Sequence, residues 1–408
     1  MLKGEKEGEE EMKDRLLSRN YVLMLSANFL LYMGFYLLLP VLPFFLSESF
    51  GADNGTVGTA LSCYTIAALL IRPFSGYLLD AFARKPLYLL AYAVYMVIFS
   101  SYLLAGCMAI FVVLRMIHGF AFGMVTVGGN TIVIDVMPSS RRGEGLGYYG
   151  MSNNIAMSIG PMIGLFLHDH YSFSVIFVCA CCSCLVGLLA GSMVKVKARE
   201  PVVREPISLD RFILLKGIPA GVTLLLLSVP YGITTTYIAM YGRELGVTVP
   251  TGVFFSFLAV GIAGSRVFSG KLVDRGYTTQ VILFSIAMAA MVFVSLGMCR
   301  YVAGVSASMV TVVFMGSALM MGVSFGIMFP AYNTLFVNLA PNNMRGTAVS
   351  TYLTSWDVGI GLGLLIGGYV SEYVGFDVAY FIGAVLAVCS WIYFYVHVGP
   401  SYERDKVR

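Results

Sequence analysis

The sequence is poor in charge. Only 12% of its 408 residues are Asp, Glu, Lys or Arg, against 58% hydrophobic. A soluble chain of this length has nowhere to hide so much apolar surface. No G-x-x-x-x-G-K-[ST] run occurs anywhere in it, so the chain carries no loop with which to hydrolyse ATP by itself. The net charge of +4 is not gathered into a patch, which leaves no footprint for nucleic acid. The first apolar stretch is too long for the core of a secretory signal, and no small-residue cleavage site closes it. We read that stretch as retained.

What the chain has instead is twelve apolar stretches, roughly 21 to 46, 55 to 79, 86 to 106, 109 to 135, 145 to 168, 173 to 194, 218 to 241, 251 to 273, 279 to 299, 307 to 337, 347 to 371 and 378 to 399. Each meets the ~20 residues that a bilayer-spanning helix needs. The expectation is an all-α integral membrane protein. Of the Lys and Arg residues outside these helices, 20 fall on the side shared by both termini and only Arg243 and Arg300 on the other. The positive-inside rule then places both termini in the cytoplasm, with the chain in a plasma or bacterial inner membrane. Residues 1–19 mix acidic and basic side chains with little to bury, and read as a solvated tail. A six-helix bundle over 20–194, a basic linker over 195–217, a second bundle over 218–399 and a short tail over 400–408 complete the division. The apolar end of the linker is expected along the membrane surface.

Two internal echoes show why the chain divides this way. Arg72-Pro-Phe-Ser-Gly76-Tyr-Leu-Leu-Asp80 returns as Arg266-Val-Phe-Ser-Gly270-Lys-Leu-Val-Asp274, with six of nine positions identical at an offset of 194. At an offset of 203, Gly119, Phe122, Gly123, Asn130, Thr131, Pro138, Arg142, Gly143, Gly160 and Gly164 return as Gly322, Phe325, Gly326, Asn333, Thr334, Pro341, Arg345, Gly346, Gly363 and Gly367. One architecture is written twice.

Gly76-x-x-x-Asp80-x-x-x-Arg84-Lys85, after the second apolar stretch, resembles the loop signature of the major facilitator superfamily, with Ala81 and Ala83 where that pattern has a basic residue and Gly. Gly34-x-x-x-x-x-Pro40-Val41-x-Pro43 resembles the first-helix motif of the family's drug:proton antiporter branch with twelve helices. Physically, its two prolines break the helix ladder. Leu114-Arg115-x-x-x-Gly119 resembles the fourth-helix Arg motif associated there with proton coupling. Ala156-x-x-x-Gly160-Pro161-x-x-Gly164 resembles the antiporter motif, with Leu165 in place of its last Gly. The resemblance covers nearly the whole chain. It implies two pseudo-symmetric six-helix bundles that open alternately to the two sides of the membrane. Gly76, Asp80, Arg84 and Lys85, with Gly270, Asp274 and Arg275 in the second half, are then gating residues. Asp80 and Asp274 each close a helix at its unfavourable C-terminal end, and the helix starts at Gly346 and Gly143 are positioned to latch them.

Polar residues on helical spacing mark the expected solute cavity. The first stretch gives Asn28, Tyr32 and Tyr36; the fourth gives Arg115, His118, Phe122, Thr126 and Asn130; the fifth gives Asn154. From the second half come Tyr231, Thr235, Tyr332, Asn333 and Trp356. Asp357 is the only one of 22 carboxylates deep inside an apolar stretch. It lies about 16 Å past Gly346, near the midplane of a core about 30 Å thick. Its counterpart in the first half is the neutral Asn154, and that of Arg115 is Ala318. A charge at such depth is costly and marks an ion or substrate pathway. Arg115 is expected to approach Asp357 in one conformation only. His118 is the second titrating candidate, and a snorkelling Arg115 or a structurally bonded Asp357 is the plainer alternative.

Two further patterns carry little. Cys179, Cys181, Cys182 and Cys184 span one and a half helical turns and point in several directions, so they read as small packing residues and not as a metal set. Gly322-Val-Ser324-Phe-Gly326 fits the serine-hydrolase pattern but sits inside an apolar helix, and its copy Gly119-Phe-Ala121-Phe-Gly123 has no hydroxyl. The expected function is secondary active transport without cofactor or metal, by a protein read as a monomer. Proton-coupled efflux of a small organic or amphipathic solute is favoured. Uptake of a sugar or metabolite is the alternative of the same class, and a receptor-like or lipid-handling protein that does not cycle is that of another.

Overall fold

The computed structural model describes residues 16–81, 83–138, 141–196, 213–340 and 345–405. All regular elements among them are helical: α1 Arg19–Leu38, α2 Leu42–Phe50, α3 Asn54–Ala81, α4 Arg84–Ser101, α5 Met108–Val136, α6 Arg142–His170, α7 Phe173–Met193, α8 Ile218–Glu244, α9 Val253–Asp274, α10 Thr278–Ala303, α11 Ala307–Leu339, α12 Arg345–Tyr373, α13 Phe376–Tyr393 and α14 Gly399–Asp405. Ten described spans are long and apolar enough to cross a membrane, and Val253–Arg266 of α9 is a shorter apolar run. Glycines, asparagines and serines thin the apolar content of α6. Most of the linker, most of the N-terminal tail and the side chains of Gly76, Asp80 and Asp274 lie outside the described residues.

The helix break between α1 and α2 falls where Pro40 and Pro43 stand. Residues 39–41 form a turn, and Pro43 occupies the start of α2, a position where its missing N–H costs nothing. Gly51 ends α2 in the left-handed conformation (φ 65°), its N–H donating to Ser47 O and that of Ala52 to Leu46 O, as a helix stop favouring glycine does.

The chain forms two compact units: Met1–Leu38, Ala67–Gly160 and Tyr171–Arg204; and Leu39–Ile66, Pro161–His170 and Glu205–Arg408. Two of the cuts fall at proline sites, one beside Pro40 and one between Gly160 and Pro161. The α2 helix, the first half of α3 and the end of α6 thus pack with the second half of the sequence.

In the first unit α1 packs on α7, and α4 on both α5 and α7. A Cβ at Gly34 would sit 2.8 Å from Cys184 Sγ, so Cys184 is an α1–α7 packing residue and Cys182 points outward, exposed. Leu16 is only 2% exposed, against Gly145, so the tail is anchored at that residue, while Leu17 (70%) and Arg19 are exposed. In the second unit α8 packs on α12, and α9 and α10 on α11. Leu214, at the apolar end of the linker, is 4% exposed and its N–H donates to Thr351 Oγ1 at 2.8 Å. Leu214 itself is tucked into the protein, where Thr351 satisfies a backbone donor that burial would otherwise strand, while Leu215 beside it is 54% exposed.

The glycines kept in both halves do the same work. A Cβ at Gly123 of α5 would sit 2.7 Å from Ala68 O of α3; one at Gly326 of α11 would sit 2.8 Å from Ile262 Cα of α9. Ala68 and Ile262 are themselves separated by 194 residues, the first echo, and the glycines by 203, the second. Each repeat therefore encodes one close helix crossing.

Candidate functional site

In the first unit the polar stripe of α1 and α5 is divided. Asn28 is 4% exposed, and its Nδ2 donates to Tyr149 O (3.2 Å) and Ser152 Oγ (2.9 Å), tying α1 to α6. The Thr126 hydroxyl donates back to Phe122 O at 2.9 Å. These two side chains spend their hydrogen bonds inside the unit. Aromatic faces remain: Tyr32 meets Phe122 edge-on at 5.6 Å and stacks on Tyr36 at 6.1 Å, and Phe35 stacks on Phe122 at 5.5 Å. Gly160 lets α6 close on Tyr36, where a Cβ would come within 2.8 Å of Tyr36 Cβ. Asn130 and Asn154 are half-buried.

Arg115 does not snorkel. It is 2% exposed, and its Nη1 donates to Tyr102 Oη at 3.4 Å. The same hydroxyl lies 2.7 Å from His118 Nδ1. Arginine only donates, so Tyr102 accepts from it, and the imidazole tautomer sets the direction of the Tyr102–His118 bond. Tyr95 and Phe99 close on the imidazole with ring centroids at 4.3 and 4.6 Å. Of the loop-signature residues, Arg84 pairs with Asp135 Oδ2 at 2.6 Å, and Lys85 Nζ donates to Ser192 O at 2.7 Å.

In the second unit four rings meet. Tyr231 of α8 lies 4.6 Å from Phe325 and 5.0 Å from Trp356; Phe329 lies 4.9 Å from Trp356. The Tyr231 hydroxyl is buried and has no hydrogen-bond partner among the described residues. An unmatched hydroxyl inside an aromatic cluster is a polar group awaiting an acceptor or donor from elsewhere. Asp357 follows Trp356 at the middle of α12 and is half-buried. Tyr352, one turn earlier, is within electrostatic range of both Asp357 and Arg266. Thr235 donates to Tyr231 O at 3.1 Å, and Tyr332 shares a 2.8 Å hydrogen bond with Thr223, so both are internal ties. Asn333 is half-buried, Gly164 buried, and Gly270 and Arg275 stand at the end of α9, Arg275 exposed.

At the end of the second unit where α3 begins and α12 stops, the helices pack closely. A Cβ at Gly58 would meet Leu364 O at 2.6 Å, and one at Gly361 would meet Thr65 Cγ2 at 2.7 Å. The Asn54 N–H donates to Glu372 Oε2 (2.9 Å), and Ser62 Oγ donates to Gly58 O (2.6 Å) with a second contact to Gly361 O (3.3 Å). Arg243 pairs with Asp169 at 3.0 Å and stands 4.2 Å over the Phe44 ring. Tyr102, Asp135, the Gly58–Gly361 crossing and the Glu372 cap were not singled out from the sequence. Only the glycine spacing of α12 hinted at one of them.

The sequence profile of the Major Facilitator Superfamily matches residues 24–363 and 293–407. The chain belongs to that family. It is a multi-pass membrane transporter by family and fold. The chain is 24% identical to the multidrug resistance protein MdtG of Enterobacter lignolyticus over 92% of its own length and 91% of that protein. It is 20% identical to the staphylopine export protein of Staphylococcus aureus, covering 83% of this chain and 86% of the other. Among solved structures, the D-xylose-proton symporter has the same fold, with a TM-score of 0.72 at 14% identity, covering 94% of this chain and 98% of that one.

Proposed function

We propose that the protein exports a small amphipathic organic solute in exchange for protons. The observation that carries this reading is Asp357, an intramembrane carboxylate next to Trp356 and therefore beside an aromatic cluster that holds an unmatched Tyr231 hydroxyl. Aromatic walls with one or two convergent polar groups suit an amphipathic ligand. A carboxylate that takes a proton in one conformation and gives it up in another is what exchange requires. The export named in one relative and the multidrug resistance named in the other support the direction. In this reading α1 with α2, and α3 to α13, form twelve crossings in two pseudo-symmetric bundles over 20–194 and 218–399. Both ends are cytoplasmic, and the loop-signature residues, Asp80 and Asp274 included, serve gating. The protein works as a monomer.

The test is transport in sealed vesicles. Purified protein reconstituted into liposomes and given an imposed proton gradient should move ethidium or a similar amphipathic cation against the proton flow, and an uncoupler should stop it. Accumulation of a sugar with the proton flow would assign uptake instead. Ligand binding with no flux under any gradient would assign a receptor.

A further inference from the structure

A groove lies apart from the aromatic cluster, between α9, α10 and α11. It is a cavity of about 440 Å³ lined by Ser265, Ser269, Leu272, Tyr277, Gln280, Val281, Phe284, Val323 and Ile327, within the ~300–1,000 Å³ of small-molecule sites. Its origin is local. The α9 and α11 helices touch at Gly261, Gly322 and Gly326. Towards the end of α9 the small side chains of Ser265 and Ser269 leave the wedge between the helices unfilled.

Ser269 is the informative residue. It is 2% exposed, it lines the groove, and its hydroxyl has no hydrogen-bond partner among the described residues. A buried hydroxyl left unpaired keeps the desolvation cost that a hydrogen bond would offset. Its counterpart in the first echo, Ser75, satisfies itself by donating to Ile71 O at 2.9 Å. The residue aligned with Ile71 is Ser265, whose hydroxyl donates to Ile262 O at 3.1 Å. The second half thus carries a donor into an apolar groove where the first half ties the same donor back to its own helix.

We propose that this groove holds an acyl chain of a bilayer glycerophospholipid, with the Ser269 hydroxyl donating to the ester carbonyl. The walls are apolar on all three helices. Phe284 (57% exposed), Tyr277 (52%) and Leu272 (42%) form the rim, and in a membrane-spanning chain such exposed apolar side chains face lipid. Ser269 lies five residues, roughly 7.5 Å, before the end of α9, the depth at which esters sit below the headgroups. Beyond it the rim turns polar. The exposed Gln280 brings an amide NH2, and exposed Arg275 stands two residues from Tyr277. Both suit a phosphate. A soluble solute would meet no charge partner in the groove itself, whereas a lipid matches apolar wall, ester acceptor and phosphate in the order the groove presents them.

The experiment is photocrosslinking of the full chain, reconstituted in phosphatidylethanolamine and phosphatidylglycerol vesicles doped with a phosphatidylcholine that carries a diazirine on one acyl chain. Adducts are mapped by mass spectrometry. The expected result is enrichment at residues 277–284 and 323–327 over Val260 and Val312, which are 65% and 72% exposed elsewhere on the surface. Ile327→Trp, which fills the groove, should reduce that enrichment to the background of Val260. Ser269→Ala, a change too small to unfold the protein, should reduce it about two- to tenfold, the worth of one hydrogen bond. Adducts as dense at Val260 and Val312 as in the groove would overturn the proposal. So would adducts that neither variant changes, or adducts that ethidium displaces, which would give the groove to the transported solute.

Discussion

Positions 203 residues apart in the two halves agree where helices must touch and disagree where charge is placed. Gly123 and Gly326 each let one helix close on another. Yet Arg115 faces Ala318 across the repeat, His118 faces Met321, and Asn154 faces Asp357. The first half buries a cation in a Tyr102–His118 network; the second puts a carboxylate beside an aromatic cluster with an unmatched hydroxyl. Packing explains what was kept in both halves. It does not explain an Arg in one and an Asp in the other, since either charge at that depth costs free energy that a neutral side chain would not.

Breaking the comparison at Asp357 should have the largest effect. Asp357→Asn makes the two halves alike at this position, and gradient-driven transport in proteoliposomes should fall to that of empty vesicles while ethidium binding, read by fluorescence, persists. Adding Asn154→Asp moves the carboxylate to the first half. It should not restore transport, because the aromatic cluster stays in the second.

Next comes Arg115→Met, which leaves the Tyr102–His118 pair without its cation. A stability loss of about 1.5–3 kcal/mol is expected from the lost hydrogen bond to a charged group, visible as a lowered unfolding temperature. Gly58→Val should cost a similar amount, about 1–3 kcal/mol of overpacking, since its side chain meets the Leu364 carbonyl. Gly264→Ala meets nothing within 4 Å and should be silent. Equal shifts for Gly58→Val and Gly264→Ala would show that the α3–α12 crossing is not tight.

Tyr231→Phe sharpens the aromatic side of the comparison. It removes a hydroxyl with no partner among the described residues, so stability should hold or rise, while solute affinity should drop about two- to tenfold. A loss of stability with unchanged affinity would make Tyr231 a packing residue.

The smallest effect concerns Asp53 at the start of α3. The Thr56 N–H (2.7 Å) and then the Thr56 hydroxyl (3.0 Å) bond its carboxylate and hold its pKa below the ordinary 3.8. A depressed carboxylate pKa adds stability that is full above the unfolded value and fades as pH falls through the folded one. Asp53→Ala should therefore lower the unfolding temperature slightly near neutral pH, and the difference should shrink as pH falls past the ordinary 3.8 and through the folded value. A constant difference across that range would mean that the carboxylate charge is irrelevant.

Much of this was legible in the chain. Apolar runs of ~20 residues gave the spans, Pro40 and Pro43 gave the break between α1 and α2, and the two offsets gave the paired crossings. Side-chain partners were another matter. Asn28 looked like a cavity residue by its spacing to Tyr32, but Ser152, 124 residues on, takes its amide. Arg115 looked free to snorkel until Tyr102, from the preceding helix hairpin, is seen to hold it. Helical periodicity reports which face a residue is on, not what stands opposite. Nor does it report that α2, the start of α3 and the end of α6 pack with the second half, because that depends on which conformation the chain adopts.

Proton release on solute binding tests the central claim most directly. Purified protein in weakly buffered detergent solution, mixed with ethidium in the presence of a pH indicator, should release protons, and Asp357→Asn should bind ethidium and release none. Equal proton release from the Asp357→Asn protein would contradict the account, for the exchanged proton would then sit on some other group.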